Sequence, residues 1–90
     1  VNIEESSNNV SIYPNPTNNE VNIEFSINES PQAQIIITDL YGKEVYSKAY
    51  QYSTIGAQKE TIDFSSLKSG SYFITVESGK SSSVKRLIKL

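Results

Sequence analysis

The sequence predicts an all-β domain, an immunoglobulin-like β-sandwich of about seven antiparallel strands. Three observations support this fold class. Apolar and polar residues alternate in short segments, turn residues separate these segments about every ten residues, and no stretch has the apolar spacing of a helix. The chain has 90 residues, which corresponds to one domain. We assign residues 10–90 to this domain and the polar residues 1–9 to a linker.

The predicted strands follow one another with little sequence between them. The clearest lies in residues 21–27, where four apolar residues alternate with polar ones. Six more are predicted at residues 10–13, 33–37, 45–50, 61–64, 72–76 and 84–90. Ile36 makes the 33–37 strand apolar on both faces, whereas the 61–64 strand has a weaker pattern. The single helix candidate is one turn at residues 65–68.

Turn residues separate the strands. Pro14 and Pro16 exclude a helix after the first strand, because each proline fixes its own φ and favours extended geometry in the preceding residue. Gly42 supplies the positive φ of a tight hairpin between the 33–37 and 45–50 strands. Further turns are expected at residues 28–31 and 78–80.

The spacing of Leu67, Gly70 and Tyr72 predicts a tyrosine corner. In immunoglobulin-like sandwiches, a tyrosine near the start of a central strand donates its hydroxyl to backbone a few residues upstream. Leu67 is expected to plug the end of the sandwich, and Gly70 to let the chain turn into the strand. The alternative is that Tyr72 is an ordinary inward-facing aromatic residue.

Composition argues against most catalytic and cofactor functions. The chain contains neither cysteine nor histidine, so it lacks disulfides, thiolates and the commonest metal ligand and general base. We expect no catalytic residue, cofactor or metal site. The net charge of −2 gives no basic face for nucleic acid, and no apolar run is long enough to insert into a membrane. The absence of methionine is expected for a fragment of a longer protein or a processed chain.

Two binding functions remain open on composition alone. The possible calcium ligands are Asn15, Asn18, Asn19 and Glu20, with Asp39 or Asp63. The set lacks the spacing of a calcium loop, and we favour an asparagine-rich turn. The possible carbohydrate platform is Tyr46, Tyr50 and Tyr52, which are separated by even numbers of residues and would lie on one face of a sheet. These tyrosines are equally consistent with the half-buried fringe of a core without tryptophan, which we favour.

The C-terminal segment, residues 84–90, has two interpretations that the residues do not separate. It is typical of an edge strand whose Lys85, Arg86 and Lys89 discourage aggregation between sheet edges. It is also consistent with a strand presented to a receptor, in a groove or by strand addition.

Four motifs together resemble the C-terminal sorting domain of the type IX (Por) secretion system of Bacteroidetes. The resemblance covers about residues 10–90, and the order of the motifs is more specific than any one of them. The motifs are Tyr13-Pro14-Asn15-Pro16, Asp39-Leu40-Tyr41-Gly42-Lys43-Glu44-Val45, Leu67-Lys68-Ser69-Gly70-Ser71-Tyr72-Phe73-Ile74-Thr75-Val76 and Lys85-Arg86-Leu87-Ile88-Lys89.

The resemblance implies a transport signal at the C-terminus of a larger exported protein. The implied partners are the type IX outer-membrane translocon, an outer-membrane shuttle protein and a sortase-like peptidase that cleaves within residues 1–9. The parent would pass through the periplasm and the outer membrane to the cell surface or the extracellular space. The residues expected to be recognised are Lys85, Arg86, Ile88, Lys89 and Leu90. The residues expected to be structural are Tyr13, Pro14, Asn15, Pro16, Gly42, Leu67, Gly70 and Tyr72.

Overall fold

The computed structural model describes residues 10–28 and 30–90, which form seven β-strands and no helix. The strands are β1 Val10–Tyr13, β2 Glu20–Ile27, β3 Gln32–Asp39, β4 Glu44–Gln51, β5 Gly56–Asp63, β6 Gly70–Ser78 and β7 Ser81–Lys89. The predicted number of strands and the all-β class are therefore confirmed. The proposed linker, residues 1–9, lies outside the described residues.

The strands form two sheets that pack as a sandwich. One sheet has the order β1-β2-β5 and the other has the order β4-β3-β6-β7, and all strand pairs are antiparallel. Chain crossovers between the sheets occur from β2 to β3, from β4 to β5 and from β5 to β6. β7 lies at the edge of the four-stranded sheet, which agrees with its interpretation as an edge strand.

The core follows from the alternation in the sequence. In β2, four apolar residues that are at most 4% exposed face the other sheet, while the polar residues between them face outward. β3 and β6 supply the opposite layer, with Ile35 paired to Val76 and Ile37 paired to Ile74. Because Ile36 lies on the outer face of β3 and is only half-buried, the second apolar face of that strand faces away from the core.

β5 and β7 are longer than the sequence pattern predicts. β5 begins at Gly56 rather than at residue 61, because its polar residues pair along the whole length of β2. Backbone pairing does not require apolar side chains at a sheet edge. β7 likewise begins at Ser81, since the turn at Gly79 brings Ser81 opposite Ser78. The apolar pattern does not reveal the starts of β5 and β7, because both are edge strands that begin with small, polar or charged residues.

The tyrosine corner is confirmed. The Tyr72 hydroxyl donates to the carbonyl oxygen of Lys68 at 2.6 Å, and Tyr72 is buried. Leu67 packs against the core, and its amide donates to the Phe64 carbonyl at 3.0 Å, so residues 65–68 form a turn rather than the helical turn considered from the sequence. Gly70 has a φ of +154°, which L-residues rarely adopt, so glycine is required there by the backbone.

Tyr72→Phe tests the corner. The change removes one hydrogen bond and keeps the ring against Phe64. We therefore expect the free energy of unfolding to fall by about 1 kcal/mol, and by more if no water molecule replaces the hydroxyl at the Lys68 carbonyl. Urea denaturation measures this loss. Tyr41→Phe is the matched control, because Tyr41 is 86% exposed and is expected to change little. Equal effects of the two changes would contradict the role of the Tyr72 hydroxyl.

Candidate functional site

Each of the four motifs contributes a turn or a strand end to the same end of the sandwich, although residues 71–76 of the third motif continue along β6. The antiparallel connectivity brings the end of β1, the β3–β4 hairpin, the β5–β6 corner and the end of β7 to the same side. The register agrees, since Asp39 pairs with Tyr72, Tyr72 pairs with Leu87 and Gly70 pairs with Lys89. We call this side the tail end, defined by residues 13–19, 40–43, 64–70 and 86–90. The opposite side carries the β4–β5 and β6–β7 turns.

The Pro-Asn-Pro segment pairs with the terminal strand. The Asn15 side chain donates from Nδ2 to the Arg86 carbonyl and accepts from the Ile88 amide through Oδ1, both at 3.0 Å. Two residues further on, the Thr17 amide donates to the Ile88 carbonyl at 2.9 Å, and the Leu90 amide donates to the Thr17 carbonyl at 2.8 Å. The Asn15 amide therefore acts as an extra peptide group that extends a short parallel bridge.

Thr17 anchors this segment inside the protein. It is 2% exposed, its hydroxyl donates to the Glu20 carbonyl at 2.5 Å, and it accepts from the Asn19 amide at 3.3 Å. The bonds to Asn15 and Thr17 occupy the outer edge of the terminal strand between residues 86 and 90. A partner that added a strand to this stretch would have to displace them.

The residues of the terminal strand alternate between two faces. The register pairs Leu87 with a buried residue of β6, so Lys85, Leu87 and Lys89 lie on the face toward the other sheet. Leu87 is 0% exposed, Lys85 is half-buried and Lys89 is 8% exposed. Arg86 and Ile88 lie on the outward face, where Arg86 is exposed and Ile88 is half-buried.

The predicted recognition residues therefore differ in access to solvent. Lys89 lies close to the chain terminus, and its Nζ donates to the Leu90 oxygen at 3.0 Å. Leu90 is 58% exposed. A partner that meets the folded domain reaches the exposed Arg86 and Leu90 more readily than it reaches the buried Lys89, while Ile88 and Lys85 are both half-buried, on opposite faces of the strand.

The hairpin at the tail end is closed by Asp39. Its Oδ1 accepts from the Tyr41 amide at 2.9 Å and from the Lys43 amide at 3.0 Å. Gly42 has a φ of +84°, as the sequence predicted, and its amide donates to the Asp39 carbonyl at 3.1 Å. Leu40 and Tyr41 are left at the tip, facing solvent.

The three tyrosines of the possible carbohydrate platform lie against the core rather than on an open surface. Tyr46, Tyr50 and Tyr52 are half-buried, and the rings of Tyr50 and Tyr52 stack with centroids 6.1 Å apart. The Tyr46 and Tyr50 hydroxyls lie 3.2 Å apart, and the Tyr52 hydroxyl donates to Glu60 at 2.7 Å. Burial raises the pKa of Tyr50 and of Tyr52, with a further contribution from these hydrogen bonds. This arrangement supports the interpretation as a core fringe.

The possible calcium ligands have other roles. Asn15 bonds the terminal strand, and Asp39 closes its own hairpin. Asp63 accepts hydrogen bonds from Ser65, which lower the pKa of its carboxyl group. Among residues 10–28 and 30–90, no group of three or more acidic residues is placed to hold a metal ion. The arrangement favours the turn interpretation of the asparagine cluster.

Sequence reasoning did not foresee the pairing of Asn15 and Thr17 with residues 86–90. The partners are more than 70 positions apart in the sequence, and each motif reads locally as a turn or a strand. The sequence signal for this pairing is the asparagine between two prolines, because its side-chain amide can donate where the neighbouring prolines have no backbone N–H.

Asn15→Ala is expected to loosen the tail. The change removes both side-chain bonds, so the Ile88 amide should exchange with solvent at least about tenfold faster, the equivalent of roughly 1.4 kcal/mol. Hydrogen exchange followed by NMR measures this rate. Asn18→Ala is the control, since Asn18 is exposed in the same loop. Unchanged exchange at Ile88 in Asn15→Ala would contradict the pairing role.

Comparison with known families gives one match. A family model described as a secretion system C-terminal sorting domain matches residues 11–90, a range that includes all four motifs. No curated protein matches the sequence. In the part of the chain that the structure describes, no helix is both long and apolar enough to cross a membrane.

Proposed function

The chain belongs to the secretion system C-terminal sorting domain family, and we propose that the type IX outer-membrane translocon recognises it through the folded tail end. The family is one of sorting signals rather than enzymes, and membership implies export to the cell surface or the extracellular space. It also implies interaction with the type IX machinery.

The convergence of the four motifs at the tail end carries the proposal. The core runs through the whole sandwich, whereas each of the four motifs contributes a turn or a strand end to one side of it. Asn15 and Thr17 fix the position of residues 86–90 through two hydrogen bonds each. A terminus held in one geometry loses less conformational entropy on binding than a frayed one, which favours recognition.

Arg86, Ile88 and Leu90 are the proposed contact residues. Arg86 is exposed on the outward face of β7, and Ile88 and Leu90 follow it along the chain with apolar surface. Lys85 and Lys89 support the site from the inner face, with Lys89 held at the terminal oxygen. The proposed partners are the translocon, its shuttle protein and a sortase-like peptidase that cleaves ahead of the sandwich, within residues 1–9.

A reporter fusion tests the function. Residues 1–90 are fused to the C-terminus of a periplasmic reporter in a host with a type IX system, and surface delivery is measured by protease accessibility on intact cells. We expect delivery of the intact fusion and its loss on deletion of residues 88–90. We expect the deletion variant to stay folded, because Leu87 and the rest of the core remain. Circular dichroism of the purified domain checks this.

Ile55→Ser provides the control. Ile55 is 54% exposed in the turn between β4 and β5, at the side opposite the tail end. This variant should be delivered like the unmodified fusion. Absence of delivery from the unmodified fusion would contradict the proposed function, and delivery that survives the deletion would exclude Ile88 and Leu90 as necessary contact residues.

A further inference from the structure

Exposed large hydrophobic side chains concentrate at the tail end. Leu40 is 56% exposed, Tyr41 86% and Leu90 58%. Among the described residues, Ile55 is the one comparable side chain at the opposite side. Tyr13 is also exposed at the tail end, but it faces outward from the other sheet, where its hydroxyl bonds Glu24 and Lys59 lies over its ring. Three apolar groups are thus exposed close to the terminal strand.

The hairpin does not need apolar residues at its tip. Its geometry is set by the Asp39 carboxylate, by two backbone bonds between residues 39 and 42–43, and by the positive φ of Gly42. Polar residues satisfy such a turn equally well and avoid exposing apolar surface. Leu40 and Tyr41 therefore gain little from folding, and the free energy of burying them remains available to a partner.

The base of the hairpin is held by hydrogen bonds and by strand pairing, which favours binding at its tip. Asp39 pairs with Tyr72 on its other side, so the base of the turn is part of the four-stranded sheet. Two side chains presented from a fixed turn lose less entropy on binding than the same side chains on a mobile loop.

The tip lies near the residues proposed for recognition. β3 and β7 are separated by β6 alone, so their backbones are roughly 10 Å apart. Asp39 and Leu87 both pair with Tyr72, which places the start of the hairpin and the last residues of β7 at the same height in the sheet. One protein surface of ordinary size covers both elements.

We propose that Leu40 and Tyr41 are a second anchor for the protein that recognises the terminal strand. The anchor fits an apolar pocket with a carboxylate at its rim, which would meet the exposed Lys43. This inference rests on the proposed function, since it names a further contact made by the same recognition event.

The charges around the tip favour a protein over a membrane surface. Lys43 is followed by exposed Glu44, so side chains of both charges lie close to the apolar residues in the chain. A surface that binds anionic lipid carries clustered cations without intervening acids. An apolar centre with a mixed polar rim is instead typical of a protein interface.

The double variant Leu40→Ser/Tyr41→Ser tests the anchor in the reporter fusion. We expect surface delivery to slow by at least about tenfold, the effect of removing an anchor from an interface. The thermal midpoint of the purified domain should be unchanged, because both side chains face solvent. Ile55→Ser is the matched control, with nearly the same exposure at the opposite side and an expected rate equal to that of the unmodified fusion.

The outcomes separate the two proposals. Delivery of the unmodified fusion together with equal delivery of the double variant would overturn the anchor and leave the sorting function intact. No delivery of the unmodified fusion would remove the sorting function itself. Sedimentation of the purified domain with vesicles of phosphatidylethanolamine and phosphatidylglycerol tests whether the hairpin tip binds a lipid surface instead. Vesicle binding that the double variant loses would replace the protein partner with a lipid surface, whereas absence of binding supports the protein partner.

Discussion

Replacing Phe64 with alanine is expected to lower the free energy of unfolding by about 3–5 kcal/mol, as for other fully buried phenylalanines. Phe64 is 0% exposed and directly follows β5. Its ring meets the Tyr72 ring edge to face at 5.9 Å, and its amide donates to the Asn19 carbonyl at 2.7 Å. One residue therefore joins the tyrosine corner to the loop that follows the Pro-Asn-Pro segment. Urea denaturation of the purified domain measures the loss.

Phe73→Ala is the control for this prediction. Phe73 has the same side chain but lies on the outer face of β6, where it is half-buried. We expect it to cost less than half as much as Phe64→Ala, because most of its transfer free energy is not gained on folding. Similar losses for the two variants would contradict the placement of Phe64 in the core.

Leu87→Ala is expected to destabilise the domain by about 2–5 kcal/mol, whereas Ile88→Ala costs about 1 kcal/mol or less. The two residues are neighbours on the terminal strand, but Leu87 is 0% exposed and faces the other sheet while Ile88 faces outward. Denaturation measures the stability of both variants. In the reporter fusion, Ile88→Ala should reduce surface delivery of a domain that remains folded.

The pair separates folding from recognition within a single strand. If Leu87→Ala were as stable as the unmodified domain, the register of β7 would be wrong, since a shift by one residue exchanges the two faces. If Ile88→Ala were delivered normally, the outward face of β7 would not be the surface that the translocon contacts.

Much of the fold could be predicted from the sequence because its signals are local. The alternation in β2 identified both a strand and its buried face, and Gly42 identified a hairpin that the structure confirms with a φ of +84°. The corner was predictable because Tyr72 reaches a carbonyl only four residues away. Each of these features depends on residues that are close together in the chain.

The parts that could not be predicted depend on distant partners. The first half of β5 has no large apolar residue, and it is a strand because it pairs with β2, a segment about 30 positions away. The candidate site shows the same limit. The residues of the terminal strand were identified by resemblance, but their division into inward and outward sets needs the register with β6. The role of Asn15 required a partner at Arg86 and Ile88.

Masking the chain terminus tests the central claim most directly. The reporter fusion is compared with a version in which a second folded domain is appended after Leu90, so that the terminal strand stays in the sandwich but its end is covered. Protease accessibility on intact type IX-competent cells measures the fraction of reporter at the surface. Recognition through the tail end predicts delivery of the first fusion and retention of the second inside the cell. Equal delivery of both would contradict it.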